Sequence, residues 1–427
     1  MLLKLSHTGR AFRSHEVHGD GSRVTVEPGL IGGEVNAILA RHAKKNKLPV
    51  QYKIGPDPSS IDSCMVGGIV SNNSSGMCCG VSQNTYHTLA DLRAVFADGT
   101  VLDTADPASV AAFERTHAAL LSGVSDLARR VQADAQLSAL IRRKFAIKCT
   151  TGYSLNALVD FPADRPVEIV KRLLVGSEGT LAFVSRVRRS WNFFLEVFGF
   201  FLNSFFLSFL SSTFPLTSFS PYISFPLFSS PHLHHQATYN TVPEWAHKAS
   251  AFVMFPDVHS ACRAASVLRD QTAVDAVEMF DRASLTQCER DEAMARLVPD
   301  MSGAAPAAAA LLIECRGESE ESLKARIAEV HRALNGAGLP FGPTPANKKD
   351  LDAYAFTTDV STCKTYWDVR KGLIPIVGGA REAGTSMLIE DVACPVDRLA
   401  DMTVDLADMF QRHGYAEASC FGHALEG

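Results

Sequence analysis

The sequence predicts a chain of at least two domains in which helices and strands alternate, of α/β or α+β class. Three observations carry this reading. A length of 427 residues is enough for two or three separate cores. Apolar residues make up 46% and charged residues 20%, which is ordinary globular usage and excludes wholesale disorder. Runs of strand and helix periodicity follow one another through both halves.

Taken in order, Leu2 to Leu5 reads as a short strand, and Arg23-Val-Thr-Val26 alternates before a Glu27-Pro-Gly turn. Val35, Ile38, Leu39 and His42 mark one face of a helix over residues 33–45. Residues 55–84 form a loop region rich in glycine, serine and asparagine. Residues 92–102 read as a hairpin, because Asp98-Gly99 supplies the positive φ of a tight turn. Residues 109–144 and 167–174 are helical by period, and residues 180–187 form a strand. In the second half, residues 248–255 and 308–314 read as strands, and residues 258–270 and 320–335 as helices, the latter closed by Gly336. Residues 387–391 read as a short strand. Pro395 opens a last helix whose buried face is Val396, Leu399, Thr403, Leu406 and Phe410, with Gly414 ending it.

Charge and cysteine usage exclude whole function classes. Lys and Arg number 41 against 46 Asp and Glu, a net charge of −5, so no basic face for nucleic acid is expected. Ten cysteines with no CxxC pair suggest neither a disulfide scaffold nor a zinc site. The neighbours Cys78 and Cys79 are read as inert thiols.

The most informative run spans residues 56–76. Main-chain amides reach a diphosphate only where no Cβ stands in the way, which Gly67 and Gly68 permit. Asn72 and Asn73 add amide donors and tolerate left-handed turns. An ordinary surface loop would have the same composition. No GxGxxG is present here, which disfavours a Rossmann site.

A second motif, Gly176-Ser-Glu-Gly-Thr-Leu181, follows an apolar helix and opens a strand. With Pro56-Asp57, the Gly67–Gly68 to Gly76 run, Ala97-Asp98-Gly99 and Thr151-Gly152-Tyr153 in the same order, the chain resembles the FAD-linked oxidase family, which has the vanillyl-alcohol-oxidase-type flavin fold. The likeness is strongest to its D-lactate and D-2-hydroxyglutarate dehydrogenase branch, particularly the large members with a C-terminal iron–sulfur domain. The resemblance implies an α+β, two-domain protein truncated at both ends: a PCMH-type FAD-binding domain over residues 1–187, lacking its N-terminal phosphate loop, and an antiparallel-sheet cap domain over residues 238–427. It implies that Pro56, Asp57, Gly67, Gly68, Asn72, Asn73 and Gly76 line FAD, with Glu178, Gly179, Phe183 and Val184 on the ribose and adenine side. Ala182 stands where the family usually has glycine.

On the substrate side, Tyr366-Trp-Asp-Val-Arg370 resembles the family's W-x-x-R segment, whose arginine grips a carboxylate; a planar guanidinium suits that task. Without that match Arg370 reads as a solvated helix cation. Phe421-Gly-His423-Ala-Leu-Glu-Gly427 resembles the start of a GHxxxGNxH loop, which implies that His423 is a ligand to a divalent metal, zinc or manganese. Iron–sulfur clusters are expected only beyond residue 427. Ile389-Glu390-Asp391 replaces the lysine of the hydroxyglutarate enzymes, so the resemblance transfers no contact to a second substrate carboxylate.

The implied activity is oxidation of a D-2-hydroxy acid to the 2-oxo acid, with electrons passed to an external acceptor such as cytochrome c, a quinone or an iron–sulfur domain. An FAD oxidase of alcohols and a non-catalytic flavoprotein fragment are the alternatives. The compartment is mitochondrial or cytoplasmic; the start carries no long apolar signal segment.

Twelve of the 25 phenylalanines fall between Trp191 and Ser230. Residues 188–237 read as a translated intron, since Phe, Ser, Leu and Pro share pyrimidine-rich codons. A surface insertion and a membrane span from Trp191 to Phe209 compete with that reading. Glu196 and Asn203 inside the run weigh against the span.

Overall fold

A computed structural model describes residues 12–147 except 77 and 79, 152–184, 237–290, 292, 306–339, and 356–427 except 382, 389, 390, 416 and 417. Leu2 to Leu5, Cys79, Thr151, the Ile389-Glu390 pair and the whole of residues 188–236 lie outside the described residues.

The first domain is built on a seven-stranded antiparallel sheet. Its strands are β1 (His15–His18), β2 (Arg23–Val26), β3 (Tyr52–Ile54), β4 (Leu89–Phe96), β5 (Val101–Asp103), β6 (Ala182–Val184) and β7 (Ala237–Pro243). The order is β1-β2-β7-β4-β5, with β3 on β7 and β6 on β4. Its helices are α1 (Gly32–Asn46), α2 (Val66–Asn72), α3 (Thr85–Thr88), α4 (Pro107–Thr116), α5 (Ala118–Ala133), α6 (Ala135–Phe145), α7 (Ala157–Asp160) and α8 (Pro166–Leu174). The helical stretch expected over residues 109–144 is real but broken twice, at His117 and at Asp134, whose carboxylate caps the next helix by accepting from Leu137 N at 2.9 Å.

The expected 55–84 loop contains a helix. Val66, Ile69 and Val70 fall at i, i+3 and i+4 and are all buried against Leu30, Val35 and Leu174, which winds Val66–Asn72 into two turns despite its glycines. Asn73 ends it at φ +53°, a left-handed residue that asparagine tolerates better than most.

Strand β7 corrects the expected domain boundary. Residues 238–243 were assigned by sequence to the second domain, yet β7 ladders onto β2, β3 and β4. Strands β6 and β7 lie end to end along one edge of β4: Ala94 faces Val184, and Leu92 faces Ala237. The other edge of β4 is taken by β5, whose line continues as Thr104 N donates to Leu92 O at 2.9 Å. One residue, opposite Arg93, is all the ladder requires between Val184 and Ala237.

The second domain is a four-stranded antiparallel sheet in the order β11-β9-β10-β8, from β8 (His247–Phe255), β9 (Ala276–Phe280), β10 (Ala309–Gly317) and β11 (Phe421–His423). Every residue of β10 is buried, because both faces are covered. On one face Leu311, Ile313 and Cys315 meet α9 (Val258–Gln271), α11 (Glu320–Gly336) and α13 (Leu399–Arg412). On the other, Ala310 and Leu312 meet α10 (Arg282–Arg290) and α12 (Val360–Ala380). Gly336 lies inside α11 rather than after it, and Ala337 caps the helix. Of the expected strand over residues 387–391, Met387, Leu388 and Asp391 are irregular, and Leu388 is exposed with no apolar surface to cover it. In α13 and the single 3-10 turn before it, Val396, Leu399 and Thr403 are buried, whereas Leu406 and Phe410 are only half-buried. No helix among the described residues is long and apolar enough to cross a membrane.

Candidate active site

The two glycine motifs of the first domain meet at one place. Gly176 N donates to Val70 O at 3.2 Å and Glu178 N to Ser71 O at 2.8 Å, stitching the 176–179 turn to the end of α2. Asn72 Nδ2 donates to Glu178 Oε1 at 2.8 Å. Glu178 and Gly179 both have positive φ, +51° and +72°, so the turn projects backbone outward. Phe183 and Val184 follow it as β6.

The glycines have different reasons to be there. A Cβ on Gly76 would fall 2.1 Å from both the carbonyl and Oδ1 of Asp57, so only glycine lets this loop lie on the Pro56-Asp57 segment. A Cβ on Gly67 would fall 2.8 Å from Pro28 Cβ, and the Gly67 amide already donates to Pro28 O at 2.9 Å. That amide is therefore committed within the protein. Gly68 and Gly179 have nothing within 4 Å of a Cβ position, leaving open backbone on either side of the α2 junction. Asn73 is buried, and its Oδ1 accepts from Tyr86 N at 2.9 Å, which makes it a brace between α2 and α3. Open backbone beside a joined double turn fits the diphosphate of a nucleotide cofactor.

Behind Asp57 sits a charge cluster. Lys53 Nζ lies 3.6 Å from Asp57 and 3.4 Å from Glu244. Burial and Arg316 both push the Lys53 ammonium down, but Asp57, Glu244 and Cys78 together hold it up. Burial would raise the Glu244 carboxyl, yet Lys53, Lys248 and Arg316 outweigh it and hold it down at about 2. Burial pushes the Cys78 thiol well up, as an inert cysteine requires.

On the cap domain, Arg370 and His423 converge on a residue the sequence did not single out. Glu278, in the middle of β9, is fully buried. Its Oε2 accepts from Arg370 Nε at 2.5 Å, and its Oε1 lies 3.3 Å from His423 Nδ1. The register puts His423 directly opposite Glu278, and Arg370 comes from α12 across the sheet face. Burial would raise the Glu278 carboxyl, but Arg370 and His423 outweigh it and hold it below its ordinary value. The Phe421 ring lies 5.3 Å beneath the guanidinium. The His423 side chain is 2% exposed and its Nε2 has no hydrogen-bond partner. A signal for Glu278 did exist: a lone acid inside the apolar run Ala276-Val-Glu-Met-Phe280 needs a partner once buried.

One turn before Arg370, Trp367 Nε1 donates to Glu314 Oε2, and Arg316 Nε donates to Glu314 Oε1 at 2.7 Å. The two domains touch through Glu426, whose Oε1 accepts from Val81 N at 2.9 Å. Among the described residues no three His, Cys, Asp or Glu side chains gather as a metal site. His423 alone does not make one.

Comparison with known proteins bears on this geometry. Residues 244–427 match the family described as FAD linked oxidases, C-terminal domain, and residues 2–105 match the FAD binding domain family. The chain is similar to D-2-hydroxyglutarate dehydrogenase of Pantoea ananatis (strain AJ13355), 23% identical over 420 residues that make up 96% of this chain and 34% of that protein. It is 21% identical over 410 residues to the protein of that name from Haemophilus influenzae, covering 95% of this chain and 33% of the relative. The chain thus spans about a third of the length of these curated relatives. A solved alkyldihydroxyacetonephosphate synthase overlays with a TM-score of 0.46 at 12% identity, over 92% of this chain and 53% of that one.

Proposed function

We propose that this chain, which belongs to the FAD-linked oxidase family, is the flavin- and substrate-binding part of a dehydrogenase that converts a D-2-hydroxy acid to the 2-oxo acid. The observation that carries the reading is the convergence of Arg370 and His423 on the single buried carboxylate of Glu278.

The open backbone at Gly68 and Gly179, with Asn72 and Glu178 beside it, would hold FAD, which when bound would supply the acceptor for the two electrons and the hydrogen that leave the α-carbon. Arg370 binds the substrate carboxylate: its Nε is spent on Glu278, and the Nη edge of the fork suits two parallel hydrogen bonds. The Phe421 ring lies against the face of the guanidinium, a cation–π contact that helps hold the planar fork in place. His423 Nε2, buried and unpartnered, accepts the proton of the substrate hydroxyl. Glu278 balances the positive charge that His423 then carries. No step is assigned to a metal, since one imidazole nitrogen does not make a site.

The test is anaerobic mixing of the FAD-loaded chain with D-lactate and, separately, D-2-hydroxyglutarate. Bleaching of the bound flavin by a D-acid, not by its L-isomer, is the expected result. Arg370→Met should raise KM far more than it lowers kcat. A protein that holds FAD and stays yellow with both acids would overturn the assignment.

A further inference from the structure

Among the described residues, Glu278 is a side chain that hydrogen-bonds to both Arg370 and His423. It is fully buried. Both carboxylate oxygens are occupied, one by each partner. A carboxylate paired with a guanidinium on one oxygen is an acceptor on the other, so the atom of His423 facing it is Nδ1–H. The other ring nitrogen, Nε2, is the atom that has no hydrogen-bond partner in the fold. On the other side, Arg370 presents Nε, which fixes the rotation of the guanidinium about its long axis.

We propose that Glu278 is a positioning residue that sets both halves of the substrate site at once: it locks His423 in the Nδ1–H tautomer and turns the Nη edge of Arg370 toward the substrate carboxylate. The inference rests on the reading of Arg370 and His423 as substrate-facing groups, but its structural content is independent of turnover. The strand ladder reinforces it. Phe421 faces Phe280, Gly422 faces Met279 and His423 faces Glu278, so the backbone register sets the imidazole and the carboxylate side by side. Ala424 N donates to Val277 O at 2.8 Å just beyond, and Cys420 N donates to Asp281 Oδ2 at 2.7 Å just before, closing the ladder at both ends.

The experiment is 15N NMR of the full chain carrying 15N-labelled histidine, with His423→Gln used to assign the signal. With the pH raised until the His423 ring carries one proton, the wild-type protein should show that proton on Nδ1, as a single tautomer. Glu278→Gln keeps the shape but can donate as well as accept, so it should yield a mixture with the Nε2–H form. In the same variant kcat/KM should fall roughly 10–100-fold, with both KM and kcat affected because both partners are released. Glu278→Asp, one methylene shorter, should keep one partner and split the effect.

An Nε2–H wild-type ring, or a tautomer unchanged in Glu278→Gln, would overturn the proposal. The wild-type spectrum decides even if the variant does not fold. A chain that oxidises no 2-hydroxy acid yet shows the Glu278-dependent tautomer would sink the proposed reaction and leave the positioning role standing.

Discussion

Asn72 and Glu178, 106 residues apart in the chain, are joined by a 2.8 Å hydrogen bond from side-chain amide to carboxylate. The bond pins a glutamate with φ +51°, a conformation that L-residues adopt at a cost. It turns two separate sequence motifs into one surface. Replacing Asn72 with Ala should release the 176–179 turn at a cost of about 0.5–1 kcal/mol, since the pair is exposed. FAD should then bind about two- to fivefold more weakly, as read by quenching of flavin fluorescence. Asn72→Asp sets like charges against each other and should weaken binding further.

Gly76 is held by contact rather than by dihedral. Gly76→Ala places a methyl 2.1 Å from the Asp57 backbone, which has no room to retreat. The loop must move, costing about 1–3 kcal/mol or more. Thermal unfolding should occur at lower temperature, and the purified protein should carry less flavin. The same change at Gly68, where nothing lies within 4 Å, should leave Tm unaltered and reduce flavin content alone.

The 56–76 run was legible as a segment ruled by glycine and asparagine, and Asn73 does take the left-handed turn, but the sequence placed the open approach at both Gly67 and Gly68, whereas the Gly67 amide is spent on Pro28 O. The helix in this run was not legible, since Gly67-Gly68 masks a Val66, Ile69, Val70 face that only tertiary burial reveals. Helix α12 was missed for a similar reason: Pro375 and the Gly378-Gly379 pair interrupt its period. The motif around Arg370 was visible, but not the acid it needs, because Glu278 comes from a strand 92 residues away in sequence. Local pattern carries residue type; the partner of a buried charge is set by topology.

Glu244 predicts an acid limb of stability. Its carboxyl sits at about 2 in the fold, below the value near 4.3 of an unfolded chain. A depressed carboxyl contributes stability that is complete above the unfolded value and is lost as pH falls toward the folded one. Wild-type ΔG should therefore drop between about pH 4.5 and 2, by at most about 3 kcal/mol from this group. Glu244→Gln should flatten that part of a urea-denaturation series against pH, while being less stable than wild type at pH 7.

Strands β6 and β7 make residues 185–236 dispensable to the first sheet. A chain in which Arg186 is followed directly by Ala237 should fold, bind FAD as well as the parent, and express in more soluble form. It places two residues where the ladder needs one, and a β-bulge opposite Arg93 absorbs the extra. Thermal denaturation and flavin titration of the joined chain check this; a shorter chain that cannot fold would sink it. Transcripts lacking the codons for this stretch would agree with the outcome.

The central place of β7 also sets a timetable for biosynthesis. β2 and β4 leave the ribosome early, but the strand that lies between them is translated only after helices α4 to α8 and strand β6 have been added. At about 5–20 residues per second the nascent chain waits several seconds with two bare strand edges. During that interval the half-made protein is a client for chaperones. The cap sheet, whose strands β8 to β10 follow one another closely, faces no such delay until β11, about a hundred residues after β10, brings His423 home.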